Sequence, residues 1–419
     1  MRRGRRAGMA FILATLFLDI LGIGLVIPVL PELVTGFVGG DPTVAAFYYG
    51  PIAAVYAVMQ FVFAPVLGSL SDRFGRRPVI LLSLFGFGVN YLVLALAPTL
   101  LWLVVGRALA GVTGATITAG NAYIADISTD KNRAQNFGLV GAAFGLGFIL
   151  GPAFGGILGA LDPRLPFWAA AGLVFVNLLY GYFILPESLA SESRRPFSWR
   201  RANPLASLLY LRAYPLVLGL AAATVLLSLA QRGLETVWVL YTNYSFGWLA
   251  LENGLSLAAV GFSTALVQGG LVRVLIPRFG ERRAIVLALV CSLAAYTLFG
   301  LATEGWMMYL VIVVFALGAL AGPAIQSLVT GTVRADEQGR VQGSISSLVS
   351  LSSVVAPLMS TGLFGYFTSE RAPVLLPGAP FYLSAVFVAL ALLLVFRLFG
   401  NAAPRGRMRR EPAEGRGAR

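Results

Sequence analysis

Four charged residues in this chain lie where charge is costly, and they are where its chemistry begins. Asp19 lies in Leu16-Phe17-Leu18-Asp19-Ile20-Leu21-Gly22-Ile23, deep in an apolar run. In a membrane helix, 1.5 Å per residue puts it roughly 15 Å from the end. An ionised carboxylate there costs about 3 kcal/mol or more unless it meets water or a partner. Such a group suits proton carriage or contact with a cationic substrate; the plain alternative is a structural carboxyl held by a neighbouring helix. Arg107, behind Val104-Val105-Gly106, poses the same problem with the opposite sign. Either it holds a negative partner and links protonation to movement, or it is a structural arginine bonded to backbone carbonyls. Arg232 and Glu235, three residues apart, share one helical face. Either they neutralise each other, or Glu235, the only deep carboxylate of the second half, binds protons or a cation. Trp238 and Tyr241 follow, as pocket lining or as an interfacial aromatic belt. Gln60, Gln268 and Gln326 interrupt other apolar runs, and with Asn121, Trp238 and Tyr241 they are the expected wall of a substrate cavity. Serines from Ser344 to Ser360 line either a helix contact or that cavity.

The elements that must position these groups follow from composition. The chain has 419 residues, 58% hydrophobic and 12% charged, against about a quarter charged in soluble domains. Twelve stretches reach membrane-spanning length, roughly 9–34, 44–68, 78–98, 100–122, 134–160, 166–186, 212–241, 253–276, 284–302, 305–330, 340–367 and 379–400. The expected fold is therefore an all-α membrane protein. Met1-Arg2-Arg3-Gly4-Arg5-Arg6 resembles the basic region of a signal peptide, but the apolar run behind it is too long for one and reads as a retained first span. Basic residues fall in alternate loops, at Arg2–Arg6, Arg73/Arg76/Arg77, Lys131/Arg133, Arg278/Arg282/Arg283 and Arg334/Arg340. The other set of loops holds Arg164 and Arg371. The even number of spans and the positive-inside rule then put both termini in the cytoplasm. The net charge of +13 is explained by this topology, not by nucleic acid. Residues 187–211, with Arg194, Arg195, Phe197, Trp199, Arg200 and Arg201, read as a cytoplasmic linker, either solvated or lying on lipid. It divides bundles at 1–186 and 212–400, and a basic tail at 401–419 is expected to be disordered.

Charge also clusters in Gly68-Ser69-Leu70-Ser71-Asp72-Arg73-Phe74-Gly75-Arg76-Arg77-Pro78, read as a loop between the second and third spans. Here Gly68 would let two helices approach, Asp72 would face an arginine or a helix N-terminus, and Gly75 would permit a tight turn. The stretch resembles the loop signature of the major facilitator superfamily, which implies two six-helix bundles. A partial copy, Leu275-Ile276-Pro277-Arg278-Phe279-Gly280-Glu281-Arg282-Arg283, falls six spans later without the aspartate, as a repeated transporter bundle would have it. In the fifth span, Gly147, Gly151, Pro152, Gly155 and Gly156 have the spacing for close helix packing. They also resemble the antiporter signature of facilitator drug exporters, which favours export over uptake.

The resemblance narrows to the tetracycline/proton antiporter group. It is carried by Leu18–Pro31, Gly68–Arg77, Gly114-Ala115-Thr116 with Ala122–Asp126, and Gln338–Ser344. By matching motifs it implies exchange roles for Asp19, Asp72, Arg107 and Asp126; Asp126 otherwise balances Lys131 and Arg133. Two departures stand out. About Thr264 replaces the histidine of that group's eighth span, and 284–302 lacks its ninth-span acid. This leaves tetracycline open against another lipophilic drug or a metabolite.

The sequence has no histidine and one cysteine, Cys291, so no disulfide and no cysteine metal cluster are expected. No phosphate-binding loop or nucleophile–base pair appears, so neither catalysis nor a cofactor is expected. The expectation is a monomeric proton-coupled exporter of small lipophilic molecules, with an importer on the same fold and a non-transporting membrane scaffold as alternatives. The Gly68–Arg77 segment and Asp126 would act as its conformational latch.

Overall fold

The computed structural model describes residues 2–114, 116–129, 132–194, 214–334 and 337–401. Most of the expected linker and nearly all of the expected tail lie outside the described residues. Among those described there is no strand, and twelve helices are long and apolar enough to cross a membrane. They are α1 (Gly8–Phe37), α2 (Pro42–Phe74), α3 (Arg76–Leu96), α4 (Leu100–Ile127), α5 (Gln135–Leu161), α6 (Leu165–Ile184), α7 (Pro215–Phe246), α8 (Ala250–Phe279), α9 (Glu281–Leu301), α10 (Gly305–Thr332), α11 (Gln338–Thr368) and α12 (Ala379–Gly400). Large apolar side chains remain on the outside, Phe183 at 77% and Leu161 at 75% exposure. A surface of this kind suits a lipid solvent.

Local chemistry explains the interruptions. α1 is helical to Val26 and resumes at Leu30, because Pro28 lacks an N–H and Pro31 suits the first turn of a new helix. α4 is parted at Gly114. α8 widens to a π turn over Val267–Leu271, which contains Gly269 and Gly270. Asp41 caps α2 by accepting from the Thr43 N–H at 2.7 Å.

Contacts between α1–α6 and α7–α12 concentrate on two helix pairs, α5 with α8 and α2 with α11. Glycine decides how close these pairs come, and it does so at one end only. A Cβ on Gly156 (α5) would lie 2.6 Å from the Ala250 carbonyl oxygen and 3.0 Å from Gly254 Cα of α8. One on Gly50 (α2) would collide with Thr361 of α11. Toward the other end, where the basic connections lie, Gly138, Gly141 and Gly145 of α5 and Gly339 and Gly343 of α11 have open space around them. The two sets of helices are therefore closed together at one end and apart at the basic end.

This asymmetry separates two substitutions. Gly156→Val should lower stability by about 1–3 kcal/mol through overpacking, whereas Gly141→Val, which meets nothing, should stay within about 0.5 kcal/mol of the parent. Thermal unfolding of the two purified variants in detergent checks this, and equal losses would contradict it.

Candidate functional site

Gly68–Pro78 is helical almost throughout, where the sequence suggested a loop. α2 runs to Phe74, α3 begins at Arg76, and Gly75 alone breaks the run at φ +107°. A left-handed backbone of this kind requires glycine, and a Cβ there would strike the Glu187 carboxylate. The short break lets Arg76 reach back over the end of α2. Its Nη1 donates to Ser71 Oγ at 2.7 Å and to Asp72 Oδ1 at 2.6 Å. Its Nε donates to Asp126 Oδ2 at 3.1 Å, which joins the end of α4 to the α2–α3 corner. The Arg76 side chain is only 11% exposed, so these charge-assisted bonds replace water it has lost. Asp126 also accepts from Ser188 Oγ at 3.1 Å. Its described ion-pair partner is thus Arg76; Lys131 lies outside the described residues.

In the sequence Glu187 is the first residue of the linker; in the structure it is a member of this cluster. Its carboxylate accepts from the Arg76 N–H at 2.8 Å and the Arg77 N–H at 3.3 Å. An anion at the N-terminus of α3 satisfies orphan donors and meets the positive end of the helix dipole. The available signal was a carboxylate just after the sixth span, but its partner is 111 residues away. Arg77 Nη2 donates to the Tyr182 carbonyl at 2.6 Å, and Arg73 lies 5.1 Å from the Phe74 ring centroid. Gly68 shows no close helix approach: nothing lies within 4 Å of its Cβ position, because the two sets of helices are apart at this end.

The two deep charges of the first half do not pair with each other. Asp19 is 2% exposed, and its Oδ2 has no hydrogen-bond partner. Arg107 Nε is likewise buried and unpartnered, and no carboxylate lies within ion-pair distance of it among the described residues. Its guanidinium instead stands 5.9 Å from the Tyr56 ring centroid, an arrangement the ring quadrupole favours. Gln60 Nε2 donates to Tyr56 Oη at 3.0 Å. Tyr91 is buried, and its hydroxyl lies 3.6 Å from the Cβ position of Gly22, one turn from Asp19. Tyr56 thus neighbours Arg107, and Tyr91 stands one turn from Asp19 along α1. Neither tyrosine was singled out from the sequence, since an aromatic in an apolar run gives no sign of its neighbours.

A cavity of about 1020 Å³ separates the two sets of helices. Asn121, Gln268, Gln326, Arg232 and Glu235 line it, as do Gln231, Thr264, Ser292 and the rings of Phe144, Phe148, Tyr296 and Phe315. Arg232 Nη1 donates to Glu235 Oε2 at 2.8 Å, and Gln231 Nε2 donates to Oε1 at 2.9 Å. The other expected wall residues lie elsewhere. Trp238 is buried and donates to Ser256 Oγ at 3.0 Å, with its ring edge-on to Phe299. Tyr241 is buried and donates to the Phe299 carbonyl at 3.0 Å. Each polar tip is satisfied inside the second half, so neither forms a cavity wall or an interfacial belt. Gln60 is bound up with Tyr56 and stands outside the cavity lining.

The glycine motif of α5 serves two helices. Cβ atoms on Gly147, Gly151 and Gly155 would strike α1, at Ile20, Gly24 and Leu25. Gly156 faces α8, and Pro152 presents its carbonyl oxygen to Gly254. The second copy of the α2–α3 corner repeats the backbone: α8 ends at Phe279, Gly280 has φ +78°, and α9 begins at Glu281.

A family model described as Major Facilitator Superfamily matches residues 12–277 and 271–418. The tetracycline resistance protein, class C, of Escherichia coli is 43% identical over 353 residues, covering 84% of this chain and 88% of that protein. The class B protein of Escherichia coli is 34% identical over 392 residues, covering 92% and 95%. The crystal structure of the human organic anion transporter MFSD10 (TETRAN) superposes with a TM-score of 0.69 at 25% identity, covering 93% of this chain and 99% of that one. Twelve membrane-length helices, a repeated glycine corner between the second and third helix of each set, and these matches over nearly the whole sequence agree, and the chain belongs to the major facilitator superfamily.

Proposed function

We propose that this protein is a proton-driven exporter of lipophilic small molecules, working by alternating access of a cavity between two six-helix halves, 1–186 and 212–400. The observation that carries this reading is the large cavity between the halves, open at the basic end and closed at the other by glycine contacts. The positive-inside rule assigns the basic end and both termini to the cytoplasm of an inner membrane. This conformation would then load from the cytoplasm, as an exporter must. The names of the tetracycline resistance relatives support export over uptake, as does the α5 motif. The protein would act as a monomer.

In this reading Asp19 carries the proton, because it is buried with a carboxyl oxygen that no side chain claims. Arg107, held over Tyr56, sets the field around it, and Glu235 is the second coupling carboxylate. Asn121, Gln268 and Gln326 contact the substrate. Arg76 with Asp72 and Asp126 is the latch that keeps the α2–α3 corner fixed to α4 as the halves rock. The open glycines Gly68, Gly138, Gly141 and Gly145 receive the opposite half when the basic end closes.

Inverted membrane vesicles with a fluorescent pH probe test the coupling, using a panel of lipophilic drugs that includes tetracycline. A drug-triggered proton flux is expected in the parent and none in Asp19→Asn at equal membrane abundance; an unchanged flux in the variant would remove Asp19 from the mechanism. Silence of the folded parent across the panel would instead favour a metabolite carrier.

The latch has its own test. Arg76→Lys keeps the charge but cannot serve Ser71, Asp72 and Asp126 together, since an ammonium lacks the planar fork. Loss of one charged hydrogen bond is worth about 1.5–3 kcal/mol, so the transport rate should fall by about tenfold or more. Gly141→Val should also block transport while leaving stability intact. Parent-like rates in both would show that the basic end need not close.

A further inference from the structure

The cavity wall has an unusual charge balance. Of the described residues that line it, Arg232 and Glu235 are the only charged ones, and they are already bonded to each other at 2.8 Å. The second carboxylate oxygen of Glu235 is taken by Gln231 at 2.9 Å. The remaining polar wall is neutral: the carboxamides of Asn121, Gln268 and Gln326 and the hydroxyls of Thr224, Ser228, Thr264, Ser292 and Tyr296, with the rings of Phe144 and Phe148 lining the same space.

From this geometry we infer that the cavity recognises net-neutral, metal-free aromatic molecules rich in amide, keto or hydroxyl groups. The inference deepens the exporter reading and rests on it. A carboxamide presents one acceptor and two donors, so three of them converging on one space match a ligand that carries both kinds of group. A cationic ligand or a divalent-metal chelate is held most strongly by an unpaired anion, and the described lining offers none. Here it would have to draw Glu235 away from Arg232 and Gln231 and leave the guanidinium without its partner. A neutral ligand leaves the pair intact and stacks on the rings. The volume, about 1020 Å³, suits a drug-sized ligand.

Equilibrium binding to the purified full chain in nanodiscs tests this with three probes. They are chloramphenicol, a neutral aromatic with an amide and two hydroxyls; ethidium, a permanent cation; and tetracycline, with Mg²⁺ or with EDTA. Chloramphenicol should bind, and about tenfold more weakly to Gln326→Leu. Ethidium should bind at least about tenfold more weakly than chloramphenicol, and EDTA should change tetracycline affinity by less than about twofold. Gln326→Glu adds an unpaired carboxylate and should raise ethidium affinity by about tenfold. Ethidium bound more tightly than chloramphenicol by the parent, or tetracycline binding that collapses in EDTA, would overturn the inference. Absence of chloramphenicol and tetracycline binding to protein with parent-like helicity would overturn it too. Because binding is read without a proton gradient, binding with no drug-triggered proton flux would defeat the exchange reading and leave the ligand class standing.

Discussion

Helices in lipid are not driven together by the hydrophobic effect, because hydrocarbon tails are as apolar as leucine. What remains is close packing and the few polar contacts that backbones allow. In this protein that constraint falls on α5. One stripe of its glycines lies against the backbone of α1, and Gly156 and Gly159 meet Ala250 of α8. One helix therefore touches its own half and the opposite half through surfaces without side chains. No polar bond crosses between α5 and α8 in the described hydrogen-bond network. Contact of this kind is short-ranged: a gap of about an ångström forfeits up to roughly half of the dispersion attraction. An interface made this way can be firm at one end and absent at the other, as it is here.

Polar side chains then do the work that packing cannot. The α2–α3 corner is held by one guanidinium bonded to three acceptors and by one carboxylate across a helix N-terminus. All lie at the membrane edge, where charge is affordable. Deeper in the bundle the same residue types are arranged differently. Arg107 finds an aromatic face instead of a carboxylate, and Asp19 is buried with one carboxyl oxygen unpartnered and Tyr91 one turn away. A deep ion pair between them would have been satisfied and immobile. Kept apart, each charge is left sensitive to what changes around it, which suits a coupling site better than a structural one.

Much of this was legible in the sequence, for a physical reason. Membrane-length apolar runs, basic loops and glycine spacing act locally or along one helix, so the twelve spans, the glycine corner and the α5 stripe could be read directly. At Gly68–Pro78 the charges suggest a loop, yet the segment is helical to Phe74 and again from Arg76. Arg73 and Asp72 are helical because the helix extends past the apolar zone into the interface, where charge costs little. Trp238 and Tyr241 were misplaced because helical periodicity cannot tell a face turned to a cavity from one turned to a neighbour; Ser256 and the Phe299 carbonyl decide it. Glu187 escaped notice since its role depends on a helix terminus more than a hundred residues earlier in the chain.

The repeat shows how far backbone geometry and chemistry can separate. Gly75 and Gly280 share a positive φ and an extended ψ, and each N–H closes on the carbonyl four residues back. The turn is thus set by glycine in both halves. The anion at the following helix is supplied differently. In the first half it comes from Glu187, at the far end of the same six-helix set. In the second it is Glu281, in the first turn of α9 itself, where its carboxylate accepts from Ser327 Oγ at 3.1 Å. The same dipole is therefore met from outside in one half and from within in the other. The first arrangement ties α3 to the chain beyond α6, and there an arginine and two aspartates join α2, α3 and α4. A pseudo-symmetric backbone thus carries an asymmetric set of restraints, which gives the two halves different reasons to stay rigid while the space between them opens and closes.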